Sequence, residues 1–289
     1  MEGMVNLMSG REILTRITIL VDNNVGPEPG LVAEHGFAAL IERARDRILF
    51  DTGQGPALIR NAATLGIDLS TLTSVVLSHG HYDHTGGLLH CVYKNPGVTV
   101  VAHPKALNLH FKLQKGEGAP KSIGIPHQRE LMEHCGARFH LTEDFEEISQ
   151  GVWFTGYVPR DFSHNKDGRL VIPSADGFQP DMIEDDASLL LDTRSGFVLL
   201  LGCAHAGVRN ILEYVCRKAG IDRLHAVVGG THLGFSPQSE TYAAIAVLEQ
   251  FDVRLLAPAH CTGPGPSGLL QAYFQERFRR AQVGSVFEF

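Results

Sequence analysis

The chain has few cysteines, one tryptophan, no excess of positive charge and no long apolar run. Its five cysteines, Cys91, Cys135, Cys203, Cys216 and Cys261, are odd in number and form no C-x-x-C pair. That excludes a disulfide framework and a zinc ribbon. Lysine and arginine total 25 against 32 acidic residues, a formal net charge of −7. Nucleic-acid binders normally carry the opposite balance; the one basic cluster, Arg277, Arg279 and Arg280, reads as the solvated face of a terminal helix. The most apolar stretch, 197–201, stops at Gly202, far short of the roughly 18 residues of a membrane span. Glu2 stands near the start with no apolar h-region behind it, so no secretory signal is read. The expectation is a cytoplasmic protein with neither nucleic acid nor membrane as partner.

What the sequence has in abundance is histidine, 15 of 289 residues. Histidine titrates near neutrality and readily ligates metals. The hydrophobic fraction of 44% and charged fraction of 20% are ordinary for a globular chain with a large core.

Short β-rich runs alternate with helical patterns. Strands are expected over 13–21, 47–51, 74–78 and 98–102, with helices over 56–65 and 86–93 and another opening at Pro104. From about Lys112 to Asp186 the chain becomes rich in glycine and proline and weakly periodic, apart from short strands such as 152–155. Such stretches tend to be lids or binding loops. Alternation then resumes: strands over 187–192, 197–202, 224–228 and 253–257, helices around Val208–Val215, over 238–250 and near 269–281. One α/β domain over 1–289 is expected, with 112–186 an insert or lid. Helix–sheet–sheet–helix layering fits, and so does a doubly wound sheet.

The strand at 74–78 runs into His79-Gly80-His81-Tyr82-Asp83-His84, followed by Gly86 and Gly87. Four potential metal ligands fall within six residues. Residues two apart in extended backbone project to one side, so His79 and His81 converge on one ion, with Asp83 in the same register. His84, where the chain turns, points to a second position. Imidazole and carboxylate suit zinc, iron or manganese.

This segment resembles the H-x-H-x-D-H motif of the metallo-β-lactamase superfamily. The resemblance implies an αββα sandwich with a dinuclear metal site between the sheet edges. Leu49-Phe50-Asp51-Thr52-Gly53 resembles the superfamily's first motif, implying that Asp51 orients the metal loop from outside the ligand set. Leu256-Ala257-Pro258-Ala259-His260 resembles its last, implying His260 as a ligand. Glu34-His35-Gly36-Phe37, 61–88, 201–207, 229–233 and 260–263 are similar to one branch, that of the dihydropterin-6-methyl-ribofuranosylaminobenzene 5'-phosphate synthases. The matches run from about residue 13 to residue 263.

The departures from the superfamily pattern matter. The G-H-[ST]-x-G histidine loop is missing, and Gly202-Cys203 stands where a strand-end G-D with a bridging aspartate is expected. His205, two residues on, is assigned as the missing ligand. Cys203 is either a thiolate ligand or a small buried residue. His232 is a substrate contact, general acid, outer ligand or helix cap. Glu34 and His35 are candidate substrate-binding residues because the branch shows the same E-H-G. Arg160 is either a fork for an anionic group or an ordinary surface residue. His90, His103, His110, His127, His134, His140, His164 and His225 have no distinguishing spacing.

The expected site therefore holds two divalent ions, most suitably zinc, on His79, His81, Asp83, His84, His205 and His260, with Asp83 and His232 as catalytic residues. The leading reading is hydrolysis of an ester, lactone or phosphodiester by metal-activated hydroxide. The expected substrate is a small anionic molecule, phosphorylated or pterin-like, and the chain a possible homo-oligomer. The alternatives are a synthase-type transferase that displaces diphosphate, an iron-dependent oxidoreductase, and a non-catalytic metal-bound sensor.

Overall fold

Aliphatic and β-branched runs in each half of the chain supply the strands of two facing sheets. The computed structural model describes residues 13–114, 119–160 and 168–289. In the first sheet, β17 (Val286–Glu288), β1 (Thr15–Val21), β2 (Ala38–Arg43), β3 (Asp46–Phe50), β4 (Ser74–Val76), β5 (Thr99–Ala102) and β8 (Arg138–Leu141) lie side by side in that order. In the second the order is β16 (Leu255–Ala259), β15 (Ala226–Gly230), β14 (Gly196–Leu201), β13 (Ser188–Thr193), β10 (Val152–Phe154) and β9 (Glu146–Ser149).

Strand β14 shows how the layers form. Its residues alternate between faces, so Val198 and Leu200 pack between the sheets while Phe197, Leu199 and Leu201 face outward. Both faces are covered, which is why the segment reads as a continuous apolar run. Helices α5 (Val208–Ala219), α6 (Gln238–Gln250) and α7 (Pro264–Phe274) cover the second sheet through Ile211, Val215, Leu248 and Leu270. Helices α1 (Pro56–Thr64), α3 (Leu88–Lys94) and α4 (Arg129–His134) cover the first through Leu58, Leu88 and Met132, with the single turn α2 (Tyr82–Thr85) ahead of α3. Helix, sheet, sheet and helix stack as the expected αββα sandwich.

The strand β2 was not anticipated. Ala38, Ala39, Leu40 and Ile41 are all buried, so the segment has no alternation to read. The last helix begins earlier than expected, at Pro264 just after Gly263, and ends at Phe274. Pro104 opens only a short 3-10 turn, Pro104–Leu107.

The expectation of one continuous insert over 112–186 is corrected. Residues 129–154 belong to the sandwich, as α4, β8, β9 and β10. What remains on either side pairs into a third sheet, β12 (Gly177–Pro180), β11 (Leu170–Ser174), β6 (Phe111–Lys112) and β7 (Lys121–Ser122). The glycines and prolines fall in two excursions, and the intervening strands are too short to show a period. The third sheet is anchored by Ile123, Leu170 and Ile183 packed with Tyr82. The Tyr82 amide also donates to the Ile123 carbonyl at 2.8 Å. Among the described residues no helix is long and apolar enough to cross a membrane.

Candidate metal centre

The parallel strands of both sheets end at the same edge of the sandwich. Asp51 follows β3, the His79–His84 loop follows β4, Cys203 and His205 follow β14, His232 follows β15, and His260 follows β16. Four residues here, Asp51, Ala204, His232 and His260, have left-handed backbone with φ of 59°, 58°, 55° and 47°. Non-glycine residues rarely adopt it, at a cost of roughly 1–3 kcal/mol each, and persist only where the surroundings over-determine them. The sharp turns bring residues from opposite sheets into one cleft. Gly202 is required there, since a Cβ would lie 2.1 Å from the Ser78 hydroxyl.

The donors form two adjacent groups. In the first, His79 Nε2 lies 3.0 Å from His81 Nδ1, and the His205 ring centroid is 4.8 Å from that of His79 and 5.1 Å from that of His81. In the second, His84 Nε2 lies 3.3 Å from His260 Nε2 and 3.2 Å from Cys203 Sγ. Asp83 Oδ2 is 3.4 Å from His260 Nε2 and 3.9 Å from His84 Nε2. The His79 and His84 ring centroids are 4.3 Å apart, so the groups share a wall.

Their orientation comes from behind. Asp51 accepts the Ser78 amide and hydroxyl, both at 2.7 Å, and lies 2.6 Å from His84 Nδ1. Because Ser78 donates to Asp51, its oxygen is left to accept His79 Nδ1–H at 2.9 Å. His260 is held by Asn23 Oδ1, 2.9 Å from its Nδ1, and by Asp22, which accepts its amide at 2.6 Å. His79 and His260 thus carry the proton on Nδ1 and present an Nε2 lone pair, as a ligating imidazole requires, and in His84 Nε2 is left as the atom that sheds its proton on ligation.

Electrostatics agree. Burial pulls His79 and His205 well below the ordinary histidine range, and His81 and His260 down to about 4. All four are neutral near pH 7. Burial also opposes charge on His84, but Asp51 and Asp83 outweigh it and push the ring up to about 9. Burial raises Asp83, yet His84, His260 and His35 hold it well below the usual carboxylate range. The Cys203 thiol is pushed up by burial and by neighbouring Cys261.

Divalent cations fit this donor set. His81 Nε2 and His205 Nε2 are buried without a hydrogen-bond partner, and each such group costs about 1–3 kcal/mol. Elsewhere ring nitrogens face one another at 3.0 and 3.3 Å. Imidazole, carboxylate and thiol donors in overlapping sets of three, each set within 4.8 Å, suit zinc, iron or manganese.

The remaining candidates separate. His35 stands half-exposed at the rim, its Nε2 3.2 Å from Asp83 Oδ2. The His232 ring lies 4.2 Å from that of His205, and its amide donates to Cys261 Sγ. The structure engages the other two substrate-binding candidates, Glu34 and Arg160, with backbone groups. The Glu34 carboxylate is taken up by the Gln54 and Ala57 amides, 2.9 and 3.2 Å away, and so ties down the turn before α1. Arg160 donates to the Val158, Met182 and Ile183 carbonyls. Its fork fastens backbone to backbone.

Sequence reasoning missed several supports. Asp22 and Asn23 are among them, as are Asp185, which accepts the Gly80 amide, and Asp186, which accepts the Ala206 amide. Burial raises Asp186 to about 6. His110 was also passed over; it pairs with Asp181 at 2.6 Å, its ring 5.6 Å from that of His81. Its spacing carried no signal; the Asp185-Asp186 pair ahead of a strand could have been noticed. His164 lies outside the described residues.

A cavity of about 290 Å³ opens over the donors, lined by His35, Asp83, His205, His232 and His260 together with side chains of the third sheet. A larger cleft of about 630 Å³ lies at the opposite strand ends, around Arg194, Arg223 and Arg254. None of the donor clusters among the described residues falls there.

Comparison with known proteins agrees with this geometry. A sequence profile of the metallo-β-lactamase superfamily matches residues 32–260. The chain is 26% identical over 292 residues to the 7,8-dihydropterin-6-methyl-4-(β-D-ribofuranosyl)-aminobenzene-5'-phosphate synthase of Methanocaldococcus jannaschii, covering 95% of this chain and 96% of the relative. It is 32% identical over 258 residues to an uncharacterised protein of the same organism, covering 86% and 90% respectively. Among solved structures it is similar to Tm1679, described as a metal-dependent hydrolase of the β-lactamase superfamily. That match has a TM-score of 0.82 and 28% identity, and covers 95% of this chain and 99% of the other.

Proposed function

The chain belongs to the metallo-β-lactamase superfamily, and on that premise we propose that it is a binuclear metal-dependent hydrolase of a small phosphorylated substrate. The observation that carries the reading is the convergence of a His79–His81–His205 cluster and of Asp83, His84, His260 and Cys203, in contact pair by pair, beneath one open cavity. Two divalent ions held there, zinc by the softness of the donor set, would lower the pKa of a water and neutralise charge on the attacked centre.

The chain's own residues supply the rest. Asp83, kept ionised by its histidine neighbours, accepts a hydrogen bond from the attacking water and orients it. His35 Nε2–H donates to that oxygen and fixes its direction. His232, beside His205 on the cavity wall, is placed to meet the substrate and to protonate a leaving oxygen. Likeness to a synthase over nearly the whole chain favours a second reading, displacement of diphosphate by an amine or carbon nucleophile.

Metal-loaded protein assayed on aryl phosphodiesters, lactones and activated esters tests the first reading. A pterin diphosphate supplied with a ribofuranosylaminobenzene phosphate acceptor tests the second. Turnover that requires metal and falls 100-fold or more in His232→Ala and Asp83→Asn supports hydrolysis. Product formation only with both co-substrates would replace hydrolysis by transfer.

A further inference from the structure

We propose that Asp185, Asp186 and Ala187 form a splint that positions the first donor group, fixing the His79–His81 arm of one sheet against the His205 arm of the other. The inference rests on the reading of two metal-holding donor groups and assigns the residues that set the spacing of the first.

These three consecutive residues lead into β13, and each makes a hydrogen bond toward the site. Asp185 Oδ2 accepts the Gly80 amide at 2.7 Å, Asp186 Oδ2 accepts the Ala206 amide at 2.8 Å, and the Ala187 amide donates to the Ser78 carbonyl at 2.8 Å. Ser78 and Gly80 flank His79, Gly80 precedes His81, and Ala206 follows His205. Every ligand of the first group therefore has a neighbouring peptide unit tied to one tripeptide. Both arms are tightly constrained. A Cβ on residue 80 would lie 2.3 Å from the Ala106 carbonyl oxygen. Ala204, two residues before Ala206, has left-handed backbone with φ of 58°, which persists only where the surroundings over-determine it.

The device answers a need of the site. His205 Nε2 is buried without a hydrogen-bond partner, so no bond from that nitrogen sets the 4.8 and 5.1 Å centroid spacings to His79 and His81. The backbone beneath has to set them, because a donor set works only when held within about 0.5 Å of its productive geometry. The splint also carries a cost that fold stability alone does not explain. Asp185 and Asp186 are both buried, and each leaves its Oδ1 without a partner, at about 1–3 kcal/mol apiece. The second group is braced separately, by Asp22 and Asn23 on His260 and by Asp51 on His84. Loss of the splint should therefore weaken one ion and spare the other.

The test is zinc titration of the full chain against a competing chelator, with His205→Ala as the reference for a depleted first group. Asp185→Ala and Asp186→Ala should each weaken one of the two ions about 10- to 100-fold and leave the other within about 3-fold of wild type. Asp186→Asn, whose side-chain oxygen can still accept the Ala206 amide, should restore most of the affinity. In a His205→Ala background, which keeps only the second ion, Asp186→Ala should have no further effect. A lower urea midpoint with both affinities unchanged overturns the proposal. So does equal weakening of both ions, or a further loss in the His205→Ala background. Should Asp186→Ala fail to fold, Asp185→Ala carries the same test through Gly80. If wild type binds one ion only, the two-group reading falls; the splint stands where the alanine variants weaken that ion and falls where they do not.

Discussion

An Asp51 carboxylate oxygen lies 2.6 Å from Nδ1 of His84, and both side chains are fully buried. The contact decides which ring nitrogen of His84 is left to face His260 and Cys203. Through Ser78 the same carboxylate sets the ring of His79, so one buried acid orients a donor in each group. Asp51→Asn keeps the shape but turns one of these acceptors into a donor. Metal affinity, measured by chelator competition, should fall roughly 10- to 100-fold. Affinity equal to wild type would mean the rings are held by packing alone.

Cys203 and Cys261 are both buried beside the second donor group, but their surroundings differ. Cys203 Sγ faces His84 Nε2 at 3.2 Å, whereas Cys261 Sγ accepts the His232 amide. Cobalt-substituted protein should show a thiolate charge-transfer band that disappears in Cys203→Ser and survives in Cys261→Ser. Identical spectra for wild type and Cys203→Ser would return Cys203 to a packing role.

Arg160 joins the start of the second excursion to its end through three carbonyls. Arg160→Ala should destabilise the fold by on the order of 2 kcal/mol, seen as a lower urea midpoint. Metal content should hold, and kcat/KM should change alike for anionic and neutral substrates. A loss confined to anionic substrates would make Arg160 an anion contact after all.

The buried histidines predict how metal-stripped protein responds to pH. Unfolded, each titrates near 6.5; folded, His79, His81, His205 and His260 titrate lower. Between the two values the unfolded chain binds more protons. Stability should therefore fall as pH drops from 6.5 toward 4. His84, raised to about 9, acts in the opposite sense. Its contribution is complete below 6.5 and is lost as pH rises through 9. Urea midpoints of chelated protein should peak near neutrality; a midpoint that rises toward pH 5 would contradict the burial of neutral rings.

The parts of this site legible in the sequence are those carried by one strand end. His79, His81, Asp83 and His84 fall within six residues, and His260 closes an apolar strand. The β/α alternation of both halves was likewise readable, because the central parallel strands are buried on both faces. Long-range partners were not. Asp22 meets the His260 amide across 238 positions, and no spacing encodes that. His110 reaches His81 only because the third sheet folds back over the cleft. Arg160 carries a guanidinium that reads as an anion fork, and its three carbonyl partners are set by tertiary structure alone.

The central claim is that two ions are held by two donor groups, and elemental analysis of metal-supplemented protein tests it most directly. Wild type should hold two divalent ions per chain. His205→Ala, which depletes the first group, and His260→Ala, which depletes the second, should each hold one. A single ion in wild type, or a variant that loses none, would contradict the account.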